Sequence, residues 1–455
     1  MFIITINFVL SLYIRLIFKK DFDTGLALSF VGTNSNEVLG LLKEPTIYPF
    51  IFIAILFFGL LIKAVKKIST INFSRNNYIL FSISFLVIII YHFVGYKTVY
   101  YERNIEKFRD DKRKYFSNLY PIYYLNEFIV SKIFVEDLKE IKSTKVDFSK
   151  RKYIENDLET LVLVIGESAR KENMSLYGYK RNTTPNEDKE RENMLIYENA
   201  VSPGPLTLIS IPMILSNAMP DDYSFSSPKY ADNVLTLANY LKFDTYWITT
   251  QKFPGQEVSL ISIFENYAKN IKRVDGVYDE LILPAFYKSL ENKKKKLIIL
   301  HINGSHMTYC DKYPSTEAYF EGNPNNIDCY DNSIRYTDKV LGKVFDKLRN
   351  SKAAVVYVSD HGTSFFNNKM SFSNTKDQTK IPMYIWYSNA LNHEKDKFKT
   401  GKINELTQST IIYEIISNLL GVDNHDLLND KYTDNLRFVN SDLSVTNYDD
   451  LKDKL

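Results

Sequence analysis

Two predicted strands of this 455-residue chain end in side chains that could hold a metal ion. Glu167 follows the strand predicted at residues 161–165, and Asp360 and His361 follow the strand predicted at residues 353–359. Two carboxylates and an imidazole suit a catalytic Zn²⁺ that keeps one position open for substrate. Either motif alone would also fit an acid at a helix start or a simple turn, so only their joint position favours the metal, and both interpretations stay open.

A third predicted strand, residues 297–302, contains His301 and leads into a polar turn with His306. In open α/β sheets, ligands gather beyond the carboxyl ends of the strands. We therefore expect this turn to lie near the candidate metal ligands.

A proline- and glycine-rich turn at residues 202–207 precedes a helical pattern at residues 208–216. The hydroxyl of Thr207 at a helix start could be ionised beside a metal and meet an anionic phosphoryl group, because backbone amides point outward there. The same hydroxyl could simply cap the helix. The residues alone do not decide between a nucleophile and a cap.

The elements that would position these residues alternate in type after residue 160. Short apolar runs predict buried strands, and residues 333–348 and 410–420 have the i, i+3, i+4 apolar spacing of helices. This alternation indicates an α/β domain. The predicted strands are residues 161–165, 246–249, 297–302, 353–359 and 383–386.

The overall composition is that of a globular protein, with 45% hydrophobic and 24% charged residues. The net charge is +3, from 57 basic and 54 acidic residues. This composition excludes a disordered or collagen-like chain, and the charge gives no electrostatic case for a nucleic-acid binder.

The first hundred residues contain apolar segments that predict membrane spans. Residues 46–62 and 78–96 contain no Asp, Glu, Lys or Arg, and the loop between them has four basic residues and no acid, which favours a cytoplasmic loop. Residues 2–18 predict a third span, although buried helices of a soluble protein remain the alternative. The predicted domains are 1–97 (transmembrane), 98–155 (a helical linker at the membrane interface or on the soluble domain), 156–440 (catalytic) and 441–455 (a loose polar tail).

Cys310 and Cys329 lie in one loop-like stretch and belong to no metal or redox pattern. Outside the cytoplasm they would most simply form a disulfide, which is worth about 3 kcal/mol for a loop of this size. Two unpaired thiols are the alternative.

Several motifs, in register over about residues 155–425, resemble those of bacterial phosphoethanolamine transferases in the alkaline phosphatase and sulfatase superfamily. They are Gly166-Glu167-Ser168-Ala169-Arg170, Asn173-Met174-Ser175-Leu176-Tyr177-Gly178-Tyr179, Arg181-Asn182-Thr183-Thr184-Pro185, His301-Ile302-Asn303-Gly304-Ser305-His306, Tyr330-Asp331-Asn332-Ser333 and Ser359-Asp360-His361-Gly362.

The resemblance implies a sandwich with a central, mostly parallel sheet, preceded by a transmembrane helical domain. It implies that Glu167, Asp360 and His361 hold one zinc, with Thr207 as the metal-bound nucleophile. Residues implied to contact the substrate are His306, His301 and Gln251. A second zinc is in doubt, because residues 363–380 contain no histidine where lipid A-modifying members carry one.

The activity that the resemblance implies is transfer of phosphoethanolamine from phosphatidylethanolamine to lipid A or to a core sugar of lipopolysaccharide, on the periplasmic side of the inner membrane. A phosphoglycerol transferase of the same superfamily is the alternative. A sulfatase would need a Cys or Ser in a Cys-x-Pro-x-Arg-type sequence, which neither cysteine has. A non-catalytic membrane sensor is disfavoured by the intact set of candidate ligands and nucleophile.

Overall fold

The computed structural model describes residues 48–68, 141, 144–155, 157–224, 227–251, 260–321, 327–366, 369–371, 374–391, 398–423 and 436–454. Most of the predicted membrane domain and linker, including the apolar segments at 2–18 and 78–96, therefore lies outside the described residues.

Helix α1 (Tyr48–Ile68) contains most of the apolar segment predicted at residues 46–62. It exposes several large apolar side chains, of which Phe52 and Ile55 are each 68% exposed. Among the residues that the structure describes, no helix is both long and apolar enough to qualify as a membrane span. The transmembrane domain therefore stays a prediction.

The rest of the described chain forms an α/β domain. The strands are β1 (Thr160–Gly166), β2 (Met194–Val201), β3 (Asp244–Thr249), β4 (Asn270–Arg273), β5 (Lys296–His301), β6 (Ala353–Ser359), β7 (Ser364–Phe366), β8 (Lys369–Ser371), β9 (Met383–Tyr387), β10 (Gly401–Gln408), β11 (Arg437–Val439) and β12 (Val445–Asn447). The helices are α2 (Pro185–Lys189), α3 (Thr207–Leu215), α4 (Val234–Tyr240), α5 (Leu260–Glu265), α6 (Leu283–Ser289), α7 (Ile327–Leu348), α8 (Lys376–Thr379) and α9 (Ile412–Leu419).

Eight strands form the central sheet in the order β10-β2-β9-β6-β1-β5-β3-β4. Strand β9 runs antiparallel to β2 and β6, and the other neighbouring pairs are parallel. The predicted mostly parallel sheet is thus confirmed. Because β1 lies between β5 and β6, the chain segments that follow these three strands meet at one edge of the sheet.

Helices cover both faces of the sheet, as the burial of β1 shows. Leu161, Leu163 and Ile165 pack into one apolar core with α3, α4, α5 and α9. Val162 and Val164 point the other way and pack with α6 and α7. Both faces of a parallel strand are buried in this architecture, which explains why β1 reads as a continuous apolar run.

The five predicted strands are all present, whereas three strands of the central sheet, β2, β4 and β10, were not predicted. Strand β10 lies at the sheet edge, and most of its residues are partly or fully exposed, so it has no apolar run to detect. Helix α7 begins at Ile327, ahead of the predicted start at residue 333. Its first turns are polar and buried, so the apolar spacing that predicted the helix starts later.

The linker and the tail both pack on this domain where they are described. Phe148 and Ile141 join the α3 side of the core. The prediction of a loose tail after residue 441 is wrong: β11 and β12 form a hairpin, and Tyr448 and Leu451 are buried with Val201 of β2. These few apolar side chains fix a segment that is otherwise polar.

Candidate metal and nucleophile site

The three predicted metal ligands meet at the carboxyl edge of the sheet. Glu167 follows β1, and Asp360 and His361 follow β6, whose Ser359 pairs with Gly166. One ligand atom from each side chain lies within 4.8 Å of the others, and all three side chains are buried. The parallel register of two neighbouring strands therefore brings together residues that are far apart in sequence.

The hydrogen bonds of Asp360 leave one of its oxygens open. Its Oδ1 accepts the backbone N–H groups of His361 (2.7 Å) and Ser168 (3.1 Å). Its Oδ2 is buried and accepts no hydrogen bond from the described residues, and it lies 3.5 Å from His361 Nε2. A buried carboxylate oxygen without a donor is costly unless a cation compensates it.

His361 is oriented as a metal-binding imidazole usually is. Its Nδ1 lies 2.7 Å from the carbonyl oxygen of Gly362, to which it donates when it carries the proton. This bond leaves the lone pair of Nε2 turned toward Glu167 Oε1 at 3.4 Å. A second hydrogen bond of this kind fixes the tautomer and the ring direction of a ligand histidine.

The pKa shifts of Glu167 and His361 reflect the negative charge of the cluster. Burial raises the pKa of the Glu167 carboxyl, and the nearby charge of Asp360 raises it further. For His361, burial lowers the pKa, but the carboxylates of Asp360 and Glu167 outweigh burial and the net shift is upward. Two oxygen donors and one nitrogen donor in a buried, electronegative cleft therefore fit Zn²⁺.

Thr207 is the first residue of α3, and its hydroxyl faces the cluster. Oγ1 lies 3.1 Å from Glu167 Oε2 and 3.5 Å from His361 Nε2. The N-cap position belongs to Leu206, and the hydroxyl makes no capping hydrogen bond. Of the two interpretations of Thr207, the helix cap is therefore wrong, and the position next to the ligands favours the nucleophile.

The other predicted substrate residues differ in their placement. Gln251 donates from Nε2 to Glu167 Oε2 (3.2 Å) and to the Ile302 carbonyl oxygen (2.9 Å), so it touches the cluster. The Nδ1 atom of His306 is buried without a hydrogen-bond partner among the described residues. Burial lowers the pKa of His306 to about 4, although the charge of Glu167 opposes this shift. The imidazole of His306 is therefore neutral at neutral pH.

His301 lies inside β5 and is fully buried, with its ring edge-on to Trp247 at a centroid distance of 5.7 Å. Burial lowers its pKa to about 3, so it stays neutral. Its predicted contact with substrate remains a prediction.

Ser168 adopts a left-handed backbone conformation, with φ of 57°. This conformation is strained for a residue with a Cβ atom and persists only where surrounding contacts enforce it. Its carbonyl oxygen accepts hydrogen bonds from the Tyr330 hydroxyl (2.7 Å) and the Thr363 hydroxyl (3.1 Å). These contacts fix the backbone immediately after Glu167, and no sequence pattern marks them.

Asp279 organises the turn that carries His306, and no sequence pattern marks it. Its Oδ1 accepts the Asn303 N–H (2.8 Å) and the Thr250 hydroxyl (2.8 Å), and Oδ2 accepts the Gly304 N–H (2.8 Å). Gly304 has a φ of +49°, and a Cβ atom there would lie 2.8 Å from the backbone nitrogen of Glu167. Only glycine allows this turn to approach so closely.

Cys310 and Cys329 form a disulfide between the segment that follows His306 and helix α7. Nearby, the Ser333 hydroxyl of α7 donates to the Ser305 hydroxyl at 2.8 Å. The histidine turn is thus tied to α7 by one covalent and one hydrogen bond.

Comparison with known proteins places the chain in a protein family. A profile of the sulfatase family matches residues 159–422. The chain is 32% identical over 409 residues to YhbX of Escherichia coli, a protein named only as a transferase, and the match covers 87% of this chain and 73% of YhbX. It is 29% identical over 441 residues to phosphoethanolamine transferase EptA of Helicobacter pylori, covering 90% and 79% of the two chains.

Solved structures agree in fold. The periplasmic domain of Escherichia coli EptC, in complex with zinc, aligns with a TM-score of 0.58 at 24% identity over 66% of this chain and 96% of that domain. The integral membrane lipooligosaccharide phosphoethanolamine transferase EptA of Neisseria meningitidis aligns with a TM-score of 0.64 at 20% identity over 92% and 82%. The predicted superfamily is confirmed: the chain belongs to the sulfatase family, and phosphoethanolamine transferases are among its relatives.

Proposed function

We propose that this protein transfers phosphoethanolamine from phosphatidylethanolamine to lipid A or to a core sugar of lipopolysaccharide. The observation that carries the proposal is the Thr207 hydroxyl, 3.1 Å from Glu167 Oε2 and beside a buried cluster that fits zinc. Relatives named phosphoethanolamine transferases support the identity of the transferred group. One further relative, from Salmonella typhimurium, is named Kdo(2)-lipid A phosphoethanolamine 7''-transferase.

The reaction would proceed in two displacements at one phosphorus atom. In the first, Thr207 Oγ1 attacks the donor phosphorus, the bond from phosphorus to the diacylglycerol oxygen breaks, and that oxygen takes a proton as it leaves. Glu167 Oε2 is the closest acceptor for the proton of the threonine hydroxyl. In the second, an oxygen of the acceptor attacks the same phosphorus, the bond from phosphorus to Thr207 Oγ1 breaks, and Oγ1 takes back the proton held by Glu167 or the one lost by an acceptor hydroxyl.

Zinc held by Glu167, Asp360 and His361 would lower the pKa of a nearby hydroxyl and offset negative charge on the phosphoryl oxygens. The chain's own side chains do the positioning. Gln251 donates to Glu167 and limits the directions that this carboxylate can take. His306, neutral because burial lowers its pKa to about 4, can donate a hydrogen bond to a phosphoryl oxygen.

We also propose that the catalytic domain faces the periplasm and that the N-terminal apolar segments anchor it in the inner membrane. A relative in fold is an integral membrane protein, and the disulfide between Cys310 and Cys329 suits an oxidising compartment. Anchoring makes physical sense because a diacyl lipid donor does not leave a bilayer readily.

The test is mass spectrometry of the purified, zinc-loaded protein after incubation with phosphatidylethanolamine. We expect a phosphoethanolamine adduct on the peptide that contains Thr207, and the Thr207→Ala protein serves as the blank. The same protein incubated with phosphatidylglycerol should give no adduct. A phosphoglycerol adduct with no phosphoethanolamine adduct would replace the proposal by the alternative donor.

A further inference from the structure

We propose that Gln378 is a positioning residue that holds the Thr207 turn against the loop carrying His361. The inference deepens the proposed function and rests on it, because it assigns a role in presenting the nucleophile. Gln378 lies in the short helix α8, belongs to none of the predicted site residues, and is fully buried.

The side chain of Gln378 reaches the nucleophile turn. Its Nε2 donates to the carbonyl oxygen of Pro205 at 3.0 Å, two residues before Thr207. A buried carbonyl that loses its donor is destabilising, so the turn would move to find another partner. This hydrogen bond therefore sets the position of the turn from which Thr207 projects.

The backbone of the same residue holds the ligand loop. The Gly362 N–H donates to the Gln378 carbonyl oxygen at 2.9 Å, immediately after His361. A Cβ atom on Gly362 would lie 2.6 Å from that oxygen, so the close approach requires glycine. One residue thus contacts both the turn of the nucleophile and the loop of a metal ligand.

Neighbouring contacts hold β2 but do not reach the turn in the same way. The Ser202 N–H donates to the Thr379 carbonyl oxygen (2.8 Å), and the Ile381 N–H donates to the Ala200 carbonyl oxygen (3.1 Å). One bond holds the end of β2 and the other holds Ser202, the first residue of the turn, and both use only backbone atoms. Substitution of the Gln378 side chain would leave these backbone bonds in place and remove the donor to the Pro205 carbonyl oxygen.

A shift of the turn would change the direction and distance of attack by Thr207 without altering the set of metal ligands. Misplacing a reacting group by about 1 Å can reduce a rate by about 100-fold. We therefore expect the role of Gln378 to appear in the rate of adduct formation and not in zinc binding.

The experiment compares Gln378→Met, which keeps the length of the side chain and removes the donor, with wild-type protein. The readouts are the rate of phosphoethanolamine adduct formation on Thr207, the zinc content and the melting temperature. Asn239→Leu is the control for loss of an amide donor away from the site: Asn239, a partly buried residue of α4, also donates from Nδ2 to a backbone carbonyl, that of Tyr267 at 2.7 Å, and accepts from the Thr245 hydroxyl.

We expect Gln378→Met to form the adduct about 30- to 100-fold more slowly at full zinc content, with a loss of melting temperature no larger than that of the control. The control should keep the wild-type rate. A Gln378→Met rate within about two-fold of wild type, or a rate loss equal to the loss of folded or zinc-bound protein, would overturn the inference.

A second variant covers the case in which Gln378→Met does not fold. Gln378→Asn keeps an amide but is one methylene shorter, and it should also slow adduct formation at full zinc content. A wild-type rate in this variant would overturn the role of Gln378. Absence of an adduct in the wild-type protein would instead overturn the proposed function, and this inference with it.

Discussion

Among the buried acidic side chains of the domain, two groups differ in how their charge can be satisfied. Glu167 and Asp360 lie beside His361 at the sheet edge. Glu187 and Asp338 lie where α2 packs on α7, and there Asp338 accepts backbone N–H groups from Asn186 (3.0 Å) and Glu187 (2.8 Å). Each group has one buried oxygen without a hydrogen-bond partner among the described residues, Asp360 Oδ2 in the first and Glu187 Oε1 in the second, whereas both oxygens of Asp338 have donors.

The difference teaches what separates a candidate metal site from a structural acid pair. Burial raises the pKa of Glu187, and the charge of Asp338 raises it further; burial also raises the pKa of Asp338 to about 6. Protonation of one carboxyl group is therefore enough to relieve the repulsion between Glu187 and Asp338. Of these two groups, the one at the sheet edge also has an imidazole nitrogen turned toward its carboxylates, and a divalent cation would satisfy this mixed set of donors.

The largest expected effect comes from removing the nucleophile at the sheet edge. Thr207→Ala should reduce transfer by at least about 1,000-fold, because no other hydroxyl replaces Oγ1 in the displacement. Zinc content and melting temperature should stay near wild type, since the three ligand side chains remain. The measurement is transfer of labelled headgroup together with metal analysis, and transfer retained by this variant would contradict the nucleophile assignment.

The next effect distinguishes the two acidic groups directly. Asp360→Asn should weaken zinc binding by more than about 100-fold, because even residues that only support metal ligands contribute 10- to 100-fold. Asp338→Asn should keep the wild-type zinc affinity. Equilibrium dialysis against zinc measures the affinity of each variant. Equal losses of affinity in the two variants would show that the two acidic groups do not differ in zinc binding.

The free energy of unfolding should depend on pH through the second group, Glu187 and Asp338. The folded pKa values of Glu187 and Asp338 are raised, so their contribution is complete below about pH 4 and is lost as the pH rises through the folded values, about 6 for Asp338. Glu187→Gln removes one acid and should reduce the loss of stability between pH 5 and pH 8. Urea unfolding at both pH values tests this, and identical pH dependence in wild type and variant would refute it.

The smallest expected effect comes from removing one hydrogen-bond donor to Asp338, the side chain of Asn186. Asn186→Ala removes the hydrogen bond from Nδ2 to Asp338 Oδ2 (2.7 Å) and should lower the free energy of unfolding at pH 8 by about 1 kcal/mol. Zinc content should not change. A stability equal to wild type would mean that water replaces the amide.

The ligand cluster could be predicted from the sequence because its members follow apolar strands. Ligands gather beyond the carboxyl ends of strands in an open α/β sheet, and applying this rule requires no knowledge of distances. Glu167, Asp360 and His361 were identified in this way, and the structure brings them together. Asp279 and Gln378 could not be identified, because each acts through hydrogen bonds to backbone atoms of segments distant in the chain. Such contacts depend on tertiary packing and leave no periodicity in the sequence.

The same limit explains the errors in the fold. Strand β10 belongs to the sheet through its backbone while its side chains are largely exposed, so alternation and apolar content both fail to mark it. The hairpin of β11 and β12 is held by a few apolar residues within a polar segment. Propensity is a weak guide where burial is this sparse.

The hairpin of β11 and β12 also affects when the protein becomes active during its synthesis. The Val439 N–H donates to the Pro203 carbonyl oxygen at 2.9 Å, and the Lys376 and Asp377 N–H groups donate to the carbonyl oxygens of Lys452 and Asp453. A ribosome makes Val439, Lys452 and Asp453 after all eight strands of the central sheet. The turn that carries Thr207 therefore completes its contacts only after residues 437–453 have been synthesised, so a chain interrupted before them would hold the strands of the sheet without a finished site.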